Sequence, residues 1–235
     1  LRKEMRTMEI AVIDWRKVLP WLVFSFFVSI LFVFPGRLVR GESGPPQEVE
    51  VRDYQGARLG SIDDFRENSI EGVQRIDPEA YRLVVDGLVA EPQAFTYAEI
   101  KEQTHSAKVV TIHCVEGWSV KVLWEGIPLA LLFEKARPSP EANTVVFYAQ
   151  DGYSTSLPLQ EVLDRDLLLA DRMNGLTLPA ERGFPFQLVA EDKWGYKWIK
   201  WVTRIELSSD SGYRGYWESR GYSNSGDLSG PRFGP

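Results

Sequence analysis

The stretch Val109-Val110-Thr111-Ile112-His113-Cys114-Val115-Glu116-Gly117-Trp118-Ser119 holds the only cysteine of the 235-residue chain. Its first four residues are β-branched, the composition of a buried strand, and Glu116-Gly117 reads as the turn that ends it. Cys114 therefore stands at a strand end. The residues alone leave its role open. Free cysteine is among the most buried residue types, so Cys114 reads as a small core hydrophobe. As a nucleophile it would need His113 or His105 as its base, yet successive strand side chains point to opposite faces, which turns His113 away. A closed zinc cage is poorly supplied, because one Cys and two His need carboxylates to complete four ligands.

His113-Cys114-Val115-Glu116-Gly117-Trp118-Ser119, with Trp124-Glu125-Gly126-Ile127-Pro128-Leu129 after it, resembles the core motif of the molybdopterin-dependent oxidoreductases of the sulfite oxidase superfamily. It is most similar to the branch that holds the bacterial periplasmic methionine sulfoxide reductase catalytic subunits. The likeness extends from about Asn68 to about Leu207. It implies that the Cys114 thiolate binds molybdenum, as a soft donor to a metal already held by the two sulfurs of a pterin dithiolene. The molybdopterin carries the redox chemistry, and the protein supplies one ligand, orientation and electrostatics. Glu116 is then a candidate catalytic group near the metal oxygens, its bland alternative being an ordinary turn carboxylate.

The same resemblance assigns cofactor contacts. Asn68, in the lead-in Arg66-Glu67-Asn68-Ser69-Ile70, is the candidate asparagine that touches the pterin. The segment Lys193-Trp194-Gly195-Tyr196-Lys197-Trp198-Ile199-Lys200-Trp201 matches the family segment that lies against the pterin and its phosphate, so Lys193, Lys197, Trp198, Ile199 and Lys200 are expected there. Lysines and the amides of a Gly-containing loop suit a phosphate; a solvated basic edge over packed tryptophans is the alternative. In Arg182-Gly183-Phe184-Pro185-Phe186-Gln187, relatives read Asn-Gly-x-Pro-x-Arg, so Arg182 and Gln187 fill two cofactor-binding positions with different residues. Ala149 stands where those enzymes have threonine, and no arginine follows Cys114 closely as it does in sulfite oxidases. The implied function is oxygen-atom transfer on a small substrate such as a sulfur or nitrogen oxide or a sulfoxide. The alternative is a catalytically silent molybdopterin-fold binding or scaffold protein at the membrane.

Composition bounds the rest. A net charge of −6 gives none of the basic field that a nucleic-acid binder needs. With 44% hydrophobic and 12% aromatic residues there is ample material for a core. The chain has neither a Cys-x-x-Cys-His heme motif nor a cysteine cluster for iron-sulfur, so electrons are expected to pass to a membrane partner, a heme protein or a quinone.

Residues 18–34 are uncharged and almost wholly apolar, and Arg2, Lys3, Arg6, Arg16 and Lys17 precede them. The run just reaches the length of a membrane-spanning helix. The expected organisation is a cytoplasmic tail (1–17), an uncleaved transmembrane anchor (18–36), a linker (37–64), a catalytic domain (65–210) and a C-terminal tail (211–235). Positive charge before the anchor places the catalytic domain outside the cytoplasm. Within the domain, strands are predicted over 81–89, 109–112, 144–149, 186–190 and 199–207, with short helices over 97–103 and 128–136. A capping box opens the first helix at Thr96 and Asn174-Gly175 marks a hairpin. Many strands and few helices make the class α+β, in agreement with the sulfite-oxidase-like molybdopterin-binding fold that the resemblance implies. The tail's Tyr213, Tyr216, Trp217 and Tyr222 are expected to fold back, and disorder is expected beyond Asp227.

Overall fold

The computed structural model describes residues 48–234. The expected tail 1–17 and anchor 18–36, with the linker to residue 47, lie outside the described residues. Among the described residues no helix is long and apolar enough to cross a membrane.

In chain order the elements are β1 (Asp53–Tyr54), β2 (Ala57–Arg58), β3 (Arg82–Gly87), β4 (Gln93–Thr96), α1 (Tyr97–Lys101), β5 (Ser106–His113), β6 (Ser119–Pro128) and α2 (Leu129–Ala136). They continue as β7 (Thr144–Ala149), β8 (Ser154–Pro158), α3 (Leu159–Asp164), β9 (Leu168–Met173), β10 (Leu176–Thr177), β11 (Gln187–Val189) and β12 (Val202–Ser208). One sheet runs β10-β9-β6-β5, with β11 also paired to β9; the other runs β4-β3-β12-β7-β8. All pairings are antiparallel except β12 with β3. Strand-dominated, with short helices, the architecture is the α+β one expected.

Period-two burial shows why these segments are strands. Leu83 and Val85 of β3, Val110 and Ile112 of β5, and Ile205 and Leu207 of β12 all enter the core, while their neighbours do not. Helix α2 buries Leu129, Leu132, Phe133 and Ala136, the spacing of one helical face. It ends where Arg137 turns left-handed (φ 56°) and Pro138 follows. Pro128 closes β6 and caps this helix rather than opening its first turn. The Thr96 capping box forms as read, with the Glu99 amide donating to Thr96 Oγ1 and the Thr96 amide to Glu99. Asn174 and Gly175, both at positive φ, make the β9–β10 turn.

The long strand β6, along with β4, β8 and α3, is absent from the sequence reading. Gly126 and Pro128 disguise β6, yet Gly126 is what lets β9 approach. A Cβ there would lie 2.2 Å from the Leu169 carbonyl oxygen, at the bulge between β6 and β9.

Both flanks are more packed than the sequence suggests. Residues 48–64 join the domain: Glu50 accepts from Asn174 Nδ2 (2.9 Å) and the Ile62 amide (2.7 Å), and Leu59 is buried. The C-terminal segment folds back, as expected from its aromatics, and it stays packed past Asp227. The Leu228 amide donates to Asp192 O, the Ser223 amide to Arg232 O, and the Arg232 guanidinium covers the Trp194 ring.

Candidate active site

Cys114 is the first residue after β5, in the loop that joins β5 to β6. The pair His113 with Ser119 closes the ladder, the Cys114 amide donates to Trp118 O (2.9 Å) and the Gly117 amide returns to Cys114 O (3.1 Å). Gly117 sits at φ +90°, which an L side chain resists. This loop lets Glu116 line the same cavity as Cys114 even though strand geometry has already ended. A second loop crosses behind it. His113 bridges Trp194, and a Cβ on Gly195 would meet His113 O at 3.3 Å and Cys114 Cα at 3.4 Å, so a small residue is favoured there.

These loops floor a cavity of about 230 Å³. The lead-in contributes Arg66 and Asn68, and the segment before β11 contributes Arg182 and, with the strand, Gln187. The loop after Gly195 adds Trp198, Ile199 and Lys200. The sequence-expected residues Cys114, Glu116, Asn68, Arg182, Gln187, Trp198, Ile199 and Lys200 thus meet at one place.

Lys193 and Lys197 are placed elsewhere. Lys193 is buried between Glu161 (2.8 Å) and Asp227 (2.6 Å). Lys197 is wholly enclosed, 2.6 Å from Glu218 Oε1 and 2.9 Å from Ser156 O. The physical reason is the C-terminal segment, whose acids Glu218 and Asp227 take both ammonium groups; the expected phosphate contact from either lysine is not formed by this geometry. The tryptophan-under-lysine alternative is met only in part, since these lysines are buried, not solvated.

The cavity's charge is mixed. Arg182 donates to Phe65 O and Arg66 O and stacks over the Phe65 ring, and Lys200 pairs with Glu67 at 2.9 Å. Burial pulls the Lys200 ammonium below its ordinary value, against the opposing hold of Glu67. Arg66, Asn68 and Gln187 make no side-chain hydrogen bond or ion pair among the described residues. Gln187 is only 5% exposed, and it lines the cavity, where its amide is available to a ligand.

Burial pushes the Cys114 thiol above its ordinary value; the backbone amides of Glu116 and Val115 and the Arg66 charge favour the thiolate, while the Glu116 carboxylate opposes it. A soft cation at the sulfur would supply the missing positive charge. His105 does not serve Cys114: its Nε2 faces Asp171 at 3.2 Å and its Nδ1 faces Gln103 O. Among the described residues no group of three or more His, Cys, Asp and Glu is arranged to hold a metal ion. A metal here would therefore take one protein ligand and the remainder from its cofactor. The soft donor, the unpaired amides of Asn68 and Gln187, and the Arg66 cation fit a molybdenum-bearing pterin phosphate.

Sequence reasoning missed the aromatic half of the cavity. Trp118, Tyr153, Tyr196, Trp217 and Tyr222 line it, contributed by four separate segments. Trp118 and Tyr196 lie inside the cysteine and lysine motifs, Trp217 and Tyr222 in the aromatic tail, and Tyr153 carries no local signal.

Residues 70–217 match the family described as "Oxidoreductase molybdopterin binding domain". The chain is 34% identical over 152 residues to an uncharacterized oxidoreductase, YuiH, of Bacillus subtilis, covering 64% of this chain and 76% of that protein. It is 34% identical over 150 residues to the putative protein-methionine-sulfoxide reductase subunit YedZ1 of Azospira oryzae, covering 64% and 57%. Over 152 residues it is 32% identical to the protein-methionine-sulfoxide reductase catalytic subunit MsrP of Gluconobacter oxydans, covering 57% and 49%. Among solved structures, the sulfane dehydrogenase SoxCD of Paracoccus pantotrophus superposes with a TM-score of 0.57 at 26% identity, over 59% of this chain and 41% of that one. The matches thus span about half the length of the two sulfoxide reductase relatives and under half of the dehydrogenase. Cysteine loop, strand-rich fold and sequence likeness agree: the chain belongs to the molybdopterin-binding oxidoreductase domain family, within the sulfite oxidase superfamily, and its cofactor is a molybdenum-bearing molybdopterin.

Proposed function

We propose that the chain transfers an oxygen atom to or from a small organic sulfur compound, with a sulfoxide as the oxidised form and a thioether as the reduced form. The observation that carries this reading is the convergence of Cys114, Glu116, Asn68 and Gln187 on one cavity whose other wall is aromatic. The names of two relatives, both sulfoxide reductase proteins, support the substrate class. In the reducing direction the sulfoxide takes up two electrons and two protons and yields the thioether and water.

The bound cofactor supplies the two-electron exchange. The chain's own residues do the rest. The Cys114 sulfur anchors the metal, helped by the Val115 and Glu116 amides that face it. Arg66, Asn68 and Gln187 orient the pterin and its phosphate through hydrogen bonds they do not make within the chain. Glu116, which accepts from Trp118 Nε1 at 3.3 Å, lies at the cavity with a free oxygen for moving a proton to the leaving oxygen.

Residues 18–36 anchor the chain in a membrane, the domain faces away from the cytoplasm, and a heme protein or quinone in that membrane exchanges electrons with it. Protease added to intact spheroplasts would then digest the domain; protection until lysis would contradict that placement.

Expression in a host competent for the pterin, followed by metal analysis and assay with a reduced viologen dye, tests the reaction. About one molybdenum per chain and turnover of a methyl sulfoxide are expected. A metal-loaded protein inert to sulfoxides and thioethers would overturn the substrate class; a chain that takes no molybdenum would favour a silent binding protein.

A further inference from the structure

The C-terminal segment 213–234 forms a strap over the cavity, and it contributes Trp217 and Tyr222 to the lining. Trp217 is the last residue of the family match and Tyr222 lies beyond it. Several contacts fix the strap. Glu218 is fully buried and accepts from Lys197 Nζ (2.6 Å) and Thr155 Oγ1 (2.5 Å). The Tyr216 amide donates to Ser154 O and the Trp194 amide to Gly226 O. Gly215 lies so close to β8 that a Cβ there would be 2.2 Å from Ser154 O.

The strap rings make one continuous surface with those of the domain. Tyr153 packs on Tyr216 (5.7 Å between centroids), Tyr216 on Trp217 (5.3 Å), Trp217 on Tyr222 (5.4 Å) and Tyr222 on Tyr196 (5.0 Å). The hydroxyls of Tyr153 and Tyr196 are held by backbone carbonyls. The Tyr153 hydroxyl donates to Tyr196 O, and the Tyr196 hydroxyl to Ser223 O. Trp198 Nε1 donates to Lys193 O and Trp201 Nε1 to Ala180 O. Tyr153 and Tyr196 therefore offer the cavity mainly carbon and π surface. Trp217 is 37% exposed, so it reaches from the cavity to solvent.

We infer that Trp217 and Tyr222 are specificity-determining residues: they form, with Tyr153 and Tyr196, an aromatic wall that selects an organic thioether or its sulfoxide and excludes compact oxyanions. Aromatic faces carry negative potential, which disfavours an anion, and they attract thioether sulfur and stack on aryl groups. A fixed wall selects because it is preorganised, and the Lys197–Glu218 pair makes Glu218 its positioning residue. This rests on the substrate class proposed above, and binding separates the two.

The test titrates methyl phenyl sulfide, a ligand that needs no turnover, into the molybdenum-loaded full chain by calorimetry, with sulfate as the oxyanion probe. The native protein is expected to bind the sulfide and to ignore equimolar sulfate. Trp217→Ala and Tyr222→Ala should each weaken sulfide binding about tenfold, a stacking-sized loss, with molybdenum content unchanged. Unchanged sulfide affinity in both variants, no sulfide binding by the native protein, or displacement by sulfate would overturn the inference. Sulfide binding that the variants weaken, in a protein that reduces no sulfoxide, would sink the proposed reaction and leave the wall standing.

Discussion

Arg66, Asn68 and Gln187 line the cavity with side chains that pair with no residue described, while Lys193 and Lys197, neighbours of the cavity residues Tyr196 and Trp198, are paired with acids of the chain. Both sets are polar, and both flank the cysteine loop. The difference lies in what finishes them. Acids of the strap and of α3 pair the lysines, so these hold the fold together; nothing among the described residues pairs the cavity groups, so they stay available to a ligand. Charge beside a binding site is therefore no guide to the ligand until its internal partners are counted.

Lys197→Met is the largest challenge to this contrast. It leaves Glu218 buried without its cation, and a loss of about 3–5 kcal/mol in urea unfolding is expected. Lys197→Met with Glu218→Leu should recover most of it. A single variant that stays stable and merely sheds cofactor would move Lys197 to the ligand-binding set.

Asn174 provides a second measure of a fully paired group. It is wholly buried at φ 51°, accepts from the Leu123 amide and donates to Glu50 and Gly60 O. Asn174→Ala should cost about 3 kcal/mol, because each buried group left unmet costs ~1–3 kcal/mol. Calorimetric unfolding would read it, and a loss near zero would show that the lead-in 48–64 is not part of the cooperative unit.

The lead-in also predicts a smaller acid effect. Burial raises the Glu50 carboxyl, but hydrogen bonds from Asn174, the Ile62 amide and Ser61 outweigh it and hold the group below its ordinary 4.5. A depressed carboxyl stabilises the fold above its unfolded value, and that contribution fades as pH drops below about 4.5. Glu50→Gln should flatten the acid limb of the stability profile; an unaltered limb would remove Glu50 from the account.

The smallest expected effect on stability belongs to the cavity groups. Arg66→Ala and Gln187→Ala should each shift unfolding by no more than ~0.5 kcal/mol in protein freed of cofactor, yet lower the molybdenum content of the isolated protein. Equal molybdenum in variant and native protein would erase the distinction between the two sets.

Sequence legibility follows the same divide. The β5 run, the Thr96 capping box and the Asn174-Gly175 turn are local signals, and each appears in the structure where it was read. The cysteine motif located the cavity, because its loop is contiguous in sequence. β6 was hidden, since Gly126 and Pro128 look like loop residues until the close approach of β9 explains the glycine. The pairing of Lys197 with Glu218 was illegible for a different reason: 21 residues separate them, and only the fold-back of the strap brings them together. The aromatic wall drawn from Tyr153, Tyr196, Trp217 and Tyr222 is non-local in the same way.

The central claim is that Cys114 ligates the metal. Molybdenum-edge X-ray absorption on cofactor-loaded native protein and on Cys114→Ser measures it directly. The account predicts one sulfur neighbour fewer in the serine variant, together with lost turnover and an unchanged fold by circular dichroism. The same sulfur count in both proteins would contradict it.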